Sequence, residues 1–294
     1  MPENKPSLTM IGAGRLGSAL TIALSRVGYP IDALVSRRRV SLKQAATLLD
    51  EPINLLVLKK LRQAGNIVLI TVPDDQLTSV ITHLCALQPD NDQLRIVFHT
   101  SGALSSRILS PLSDRGWQIG SLHPLVSVSD PATGAESLLS AFWCLEGDRK
   151  AIQHGRRLVA DLQGRSFSIK AGAKPLYHAA AVMSSGNVVA LFDTALDMLQ
   201  RAGVKKDQAH RAMIPLLQST LRNLSMRSPA KALTGPFVRG DVTTVQRHLK
   251  ALSSRELREA RALYRLLGRK SLTLAEENGL DEAVAKKIAK LLAD

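Results

Sequence analysis

Lys174 and His178 stand four residues apart in a stretch of helical periodicity, so an ammonium and an imidazole project from one helix face. Such a pair can hold and protonate a carbonyl or imine as hydride reaches its carbon. Ser185 and Asn187 follow seven and nine residues after His178, the first nearly on its face and the second beside it, as further contacts for a substrate. The same residues also suit a capping lysine and a half-buried histidine amid apolar packing, and the pattern alone leaves both open. His123, between Leu122 and Pro124 after an apolar strand, is the third titratable candidate, able to donate or accept a proton near neutral pH or to make a structural backbone bond. In the segment from Leu233 to Thr244, Gly235, Pro236 and Gly240 shape a loop that can present Arg239 to an anionic substrate. Asp241 there reads as a further contact or as a helix cap. Cys85 and Cys144 lack metal-ligand spacing and read as buried reduced thiols, so no metal site is expected.

The elements that must position this chemistry begin at Leu8. A short apolar run ends in Gly12-Ala13-Gly14-Arg15-Leu16-Gly17, and Leu16, Leu20, Ala23 and Leu24 continue at helical spacing: strand, tight turn, helix. In a dinucleotide-binding unit the first glycine permits the turn, the second lets the backbone approach a pyrophosphate, and the third lets helix pack on strand. The helix N-terminus then offers free N–H groups to the phosphates. The second strand, Ile31 to Val35, ends in Ser36-Arg37-Arg38-Arg39. An NAD site places a carboxylate here for the ribose 2′-hydroxyl, whereas a 2′-phosphate needs cations and hydroxyl donors. Ser36, Arg37 and Arg38 therefore point to NADP(H), against the alternative of a solvated basic turn. Asp32 lies at the start of the strand, far from the ribose.

Residues 40–64 read as helical with an irregular middle at Glu51-Pro52. The apolar run from Asn66 to Pro73 is a buried parallel strand that delivers Val72 and Pro73 to the carboxyl edge of the sheet, where ligands bind in open α/β folds. Arg95 to His99 repeats the design and delivers Ser101 and Gly102, a polar loop able to reach a nicotinamide or a plain helix cap. Further strands are expected at 117–122, 141–146 and 166–169. The alternation argues an α/β fold, a Rossmann-type doubly wound and mostly parallel sheet over residues 1–170. Beyond it the strand signal ends. Pro175 to Ala202 reads as one long helix closed by Gly203, Asp207 to Ser225 as a second containing Pro215, and Asp241, Ser254 and Asp281 as later N-caps. Residues 171–294 are thus expected to form an all-helical substrate and dimerisation domain.

With 294 residues, 45% hydrophobic and 22% charged, the chain can bury substantial cores and is neither disordered nor fibrous. No apolar run reaches the ~18 residues that cross a bilayer, and the N-terminus lacks a signal-peptide pattern, so a cytoplasmic protein without a membrane partner is expected. The net charge of +14 raises the question of an anionic partner. Arg255, Arg258, Arg261, Arg265 and Arg269 form a basic ridge, but Glu256 and Glu259 interrupt it, aromatic residues are only 3%, and no recognition-helix pattern is present. The ridge reads as a solvated or dimer-edge face, which argues against nucleic acid.

Taken in order, the glycine motif, Ile70-Thr71-Val72-Pro73-Asp74-Asp75, Ser121-Leu122-His123-Pro124-Leu125, Tyr177-His178-Ala179-Ala180-Ala181 and the loop from Leu233 to Asp241 resemble a family. It is a group of bacterial Rossmann-like proteins described as NADP-dependent oxidoreductases, with a helical C-terminal domain of unknown function. More distantly the chain is similar to pyrroline-5-carboxylate reductase, ketopantoate reductase and the 6-phosphogluconate and 3-hydroxyisobutyrate dehydrogenases. The resemblance implies two domains, a homodimer formed by the helical one, and an active cleft between the domains. The β-hydroxyacid dehydrogenases carry a catalytic Lys followed four residues later by Asn. Lys174 matches the Lys, and His178 stands where that Asn would be. The expected activity is NADP(H)-dependent hydride transfer to or from a small polar, anionic carbonyl or imine compound. A non-catalytic NADP-binding sensor is the alternative reading, and a nucleic-acid-binding protein the third.

Overall fold

Leu8–Ile11, Ile67–Ile70 and Ile96–His99 are buried at every position. A strand covered on both faces needs helices above and below it, and that requirement organises the first part of the molecule. The computed structural model describes residues 5–49, 51–87 and 95–293. Its chain divides into two compact units, residues 1–187 and 188–294.

The first unit runs β1 (Leu8–Ile11), α1 (Arg15–Arg26), β2 (Ile31–Ser36), α2 (Arg39–Ala46), β3 (Leu55–Val57), β4 (Ile67–Ile70), α3 (Leu77–Cys85) and β5 (Ile96–His99). It continues through α4 (Ser110–Ser113), β6 (Gln118–Pro124), α5 (Pro131–Leu138), β7 (Phe142–Gly147), α6 (Arg149–Asp161), β8 (Arg165–Ser168) and α7 (Lys174–Met183). The eight strands form one sheet in the order β3-β2-β1-β4-β5-β6-β7-β8. Among the described residues only β6 and β7 pair antiparallel. Side chains alternate across the sheet: Leu8, Met10, Leu69 and Phe98 meet α1, α2, α5 and α6 on one face. Ile11, Val68, Ile70 and Val97 meet α3 and α4 on the other. This is the doubly wound, Rossmann-type sheet. Strand order reverses between β1 and β4, which opens a crevice at their carboxyl ends.

Two local expectations change. Among the described residues of 40–64 the α-helix is Arg39–Ala46, a short 3-10 turn follows at Leu58–Lys60, and Leu55–Val57 adds an edge strand parallel to β2. Three half-buried residues are too few to show alternation, so the pattern carries no strand signal. The long helix expected over 175–202 breaks in a turn at Ser184 and Ser185. The Ser184 hydroxyl donates to the Ala180 carbonyl at 3.0 Å, and Gly186 follows, a residue of poor helix propensity.

The second unit is helical: α8 (Gly186–Arg201), which crosses the division, then α9 (Lys206–Met226), α10 (Pro229–Ala232), α11 (Val242–Ala251), α12 (Arg258–Glu277) and α13 (Glu282–Leu292). Phe237, Val245, Leu272, Ile288 and Leu292 form its core. Asp241 and Asp281 cap α11 and α13 as expected. Contrary to the reading of the sequence, one helical stretch among the described residues, Ala171–Arg201, is long and apolar enough to cross a membrane by length and composition. Leu176, Met183 and Val189 on this stretch and Leu216, Leu221 and Met226 on α9 are exposed.

Candidate functional site

The β1–α1 turn is closed by Thr71 at the end of β4. Its hydroxyl donates to the Gly12 carbonyl at 2.9 Å, its amide donates to the Ile11 carbonyl at 2.8 Å, and the Gly12 amide reaches the Val35 carbonyl at 2.8 Å. Gly12 has φ +125°, and any side chain there would overlap the Thr71 backbone. A side chain on Gly17 would strike the Gly12 carbonyl, so the third glycine brings α1 down onto the turn. Gly14, by contrast, faces open space, with nothing within 4 Å of where a Cβ would stand. Backbone exposed at this point, just before the first turn of α1, suits the close approach of a phosphate.

One cleft of about 340 Å³ gathers Gly12, Gly14, Ser36, Arg37, Arg38, Val72 and Pro73. Among the described residues no carboxylate lines it. Asp32 instead lies against Gly65 and Ser7, before β4 begins. The residues present therefore fit a dinucleotide carrying an extra phosphate on its ribose better than one with a free 2′-hydroxyl. Arg15 is exposed at the first position of α1, and Leu16 packs against the core beneath it.

A second constellation surrounds Ser101 and Gly102 at the end of β5. The Ser101 hydroxyl accepts the Ala103 and Leu104 amides and donates to Asp74, just after Pro73, at 2.9 Å. It caps its own turn and ties it to the lining of the first cleft. Lys174, at the start of α7, is wholly buried and donates to the Ser101 carbonyl and the Ser121 hydroxyl, each at 2.7 Å. Its ammonium thus ties the Ser101 loop to β6. His178, one turn on, packs with His123 on Gly102, the ring centroids 5.7 Å apart. A side chain at Gly102 would displace both imidazoles.

Burial, and after it the Lys174 charge, pulls both His99 and His123 down to a pKa of about 4, so both rings are neutral at physiological pH. Burial also lowers the Lys174 pKa, opposed by Cys144, Glu146 and Asp74. The two histidines set an acid limit on the fold. Unfolded histidine titrates near 6.5, so between about 6.5 and 4 the unfolded chain binds more protons and stability falls as pH falls. Across that window the loss approaches roughly 3 kcal/mol per histidine. Denaturant titration should show a lower midpoint at pH 5 than at pH 7, and equal midpoints would refute the linkage.

The remaining sequence candidates are Ser185, Asn187, Arg239 and Asp241. Ser185 and Asn187 are exposed at the break between α7 and α8, which also shifts their phase relative to His178. Arg239 is exposed in the 233–241 loop of the second unit, and Asp241 accepts the Thr244 amide and hydroxyl at 2.9 and 2.7 Å as the cap of α11. In the basic ridge, Arg269 donates to the Leu292 carbonyl at 3.0 Å, and Arg261 and Arg265 are half-buried.

Sequence reasoning missed four side chains that shape the second constellation: Tyr177, Cys144, Glu146 and Ser121. Glu146 is buried and its carboxylate accepts the amide and hydroxyl of Ser106. The spacing of Tyr177 three residues after Lys174 was the available signal for one of them. The others come into place through strand pairing.

Residues 2–124 match the family model of a Rossmann-like domain, and residues 141–271 match that of a domain of unknown function, DUF2520. The chain joins a Rossmann-like domain to a DUF2520 domain. The glycine turn and the basic turn fall in the first match, and Lys174, Tyr177 and His178 in the DUF2520 match. Among solved structures the chain is similar to the protein TM1727 of Thermotoga maritima. That match has a TM-score of 0.72 and 22% identity, and covers 92% of this chain and 99% of that one. It is also similar to BF3122 of Bacteroides fragilis, a candidate NADP oxidoreductase, with a TM-score of 0.74, 19% identity and the same coverage. The pyrroline carboxylate reductase of Plasmodium falciparum, solved with NADP bound, matches with a TM-score of 0.57 and 12% identity over 99% of both chains. No curated protein sequence matches.

Proposed function

We propose that this Rossmann–DUF2520 protein is an NADP(H)-dependent oxidoreductase acting on a small polar, anionic carbonyl or imine compound. The observation that carries the reading is the single cleft that joins the open Gly14 turn to Ser36, Arg37 and Arg38 with no carboxylate among them. Its folds of comparison include a candidate NADP oxidoreductase and a reductase holding NADP. Bound NADPH supplies the hydride. The chain supplies orientation: the Gly12–Gly17 turn holds the pyrophosphate, Arg37 and Arg38 the 2′-phosphate, and Ser101 and Gly102 the nicotinamide end. His123 and His178 face the reacting carbon's oxygen or nitrogen. Lys174 fixes the Ser101–Gly102 loop beneath them and, after burial, biases the His123 imidazole toward its neutral form. Ser185 and Asn187 add polar contacts, and Arg239, with Asp241 holding its loop, reads the anionic group of the substrate.

A second copy of the chain covers the exposed apolar side chains of α7, α8 and α9 in this reading. A homodimer in sedimentation equilibrium supports that, and a monomer, or a protein partitioning onto lipid vesicles, overturns it. Calorimetric titration with NADPH and with NADH tests the function. Tight NADPH binding with NADH weaker by at least about tenfold, or 1.4 kcal/mol, supports the proposal, and no binding of either sinks it.

A further inference from the structure

The antiparallel pairing of β6 with β7 sets His123 directly opposite Cys144, so both side chains leave the same face of the sheet. Tyr177 brings its hydroxyl onto this pair. Its Oη lies 2.6 Å from His123 Nδ1, and burial, then the neighbouring Cys144, push the Tyr177 hydroxyl up. The Tyr177 ring stands at 90° to that of His123 and packs edge-on against Phe167 as well.

One hydroxyl proton has two possible acceptors here, and they differ in strength. An imidazole nitrogen is a good acceptor, whereas a thiol is weak both as donor and as acceptor. Burial pushes the Cys144 thiol up, so the sulfur stays protonated and its S–H is available to the tyrosine oxygen. The Tyr177 hydroxyl therefore donates to His123 Nδ1, the stronger of the two acceptors. A neutral ring whose Nδ1 accepts carries its proton on Nε2. That atom lies toward Gly102, 2.8 Å from where a Cβ would stand, and His178 Nδ1, buried and without a partner, crowds the same point. Besides Tyr177 and Cys144, the charged and titratable groups around the ring are Lys174, His178 and His99, and the ammonium among them opposes an imidazolium.

We propose that Tyr177 is a positioning residue that holds His123 as its Nε2–H tautomer, a neutral donor for the oxygen or nitrogen of a substrate. The substrate half of this assignment rests on the oxidoreductase reading, whereas the tautomer does not. A neutral donor polarises a carbonyl without placing a second cation beside Lys174.

Long-range ¹H–¹⁵N correlation of ¹⁵N-histidine-labelled protein reads the tautomer directly, with His123→Asn identifying the signal. The wild-type ring should carry its proton on Nε2. In Tyr177→Phe the His123 signal should move toward a mixture of tautomers, while NADPH affinity stays within about twofold. Turnover of an accepted substrate should fall about 10–100-fold, the range seen where the outer partner of a functional histidine is removed at metal sites. Cys144→Ala, which deletes the competing sulfur, should keep the Nε2–H form. A wild-type His123 protonated on Nδ1, an unchanged tautomer in Tyr177→Phe, or a switch to Nδ1–H in Cys144→Ala each overturns the assignment. Nε2–H in a protein that binds no NADPH would retain the tautomer and sink the function proposed above.

Discussion

Replacing Arg37 and Arg38 together with alanine lowers NADPH affinity about 100-fold and leaves NADH affinity within about twofold. Both guanidiniums are exposed at the mouth of the cleft, so each charge-assisted bond to a 2′-phosphate is taken at its lower limit, about 1.4 kcal/mol or tenfold. The backbone that aims them is set independently. The Arg38 amide donates to the Ser36 hydroxyl at 3.3 Å, and Arg38 serves as the N-cap residue of α2. The alanine variant therefore keeps the turn and loses only the cations. Calorimetry on the double variant decides the matter: equal losses for both nucleotides would place the arginines on the pyrophosphate, and no loss for either would remove them from the site.

Lys174→Met has the second large effect, and it acts through neighbours. The methionine is close to lysine in length but takes the ammonium from the Ser121 hydroxyl and leaves the Ser101 carbonyl with only the 3.4 Å bond from Ser121, at about 1–3 kcal/mol for a group left unpaired where water cannot reach. Part of this is offset because a thioether is easier to bury than an ammonium, and a net loss of about 2 kcal/mol in unfolding free energy is expected. Turnover should fall about 100-fold, since the loop that aligns His123 and His178 loses its anchor, and misplacement of the order of 1 Å costs that much. NADPH affinity should change little. His123 should titrate above its present value of about 4, because the Lys174 charge no longer opposes protonation while burial persists. Full turnover of a proven substrate by Lys174→Met would exclude any role for the ammonium.

The glycine motif, the buried strands and the basic turn were legible in the sequence because each is local. Strand, turn and helix follow one another within Leu8 to Arg26, and burial on both faces writes itself as an unbroken apolar run. The short edge strand at Leu55–Val57 was not legible, since its residues are half-buried and too few for a period. Nor was the direction of β7, because alternation in a strand is the same whichever way the strand runs. That direction decides which residues meet His123. A parallel β7 would have carried Cys144 elsewhere, and the contact of Tyr177 with both depends on it. The break at Ser184 and Ser185 was hidden for a different reason: serine and glycine are tolerated inside helices, and only the back-bond to Ala180 shows which outcome prevailed. Asp241 was legible as a cap, and the structure uses both its oxygens in that way.

The clasp between Thr71 and the carbonyls of Ile11 and Gly12 also sets when the nucleotide floor becomes ordered. Its bonds join the ends of two neighbouring central strands, so the floor cannot open unless β4 withdraws from β1. Amides of this turn should accordingly exchange with solvent deuterium as slowly as those of the strands themselves, even without nucleotide. The backbone that meets the phosphates is then organised when the chain folds and not when the ligand arrives, and association carries little ordering entropy at that end of the molecule.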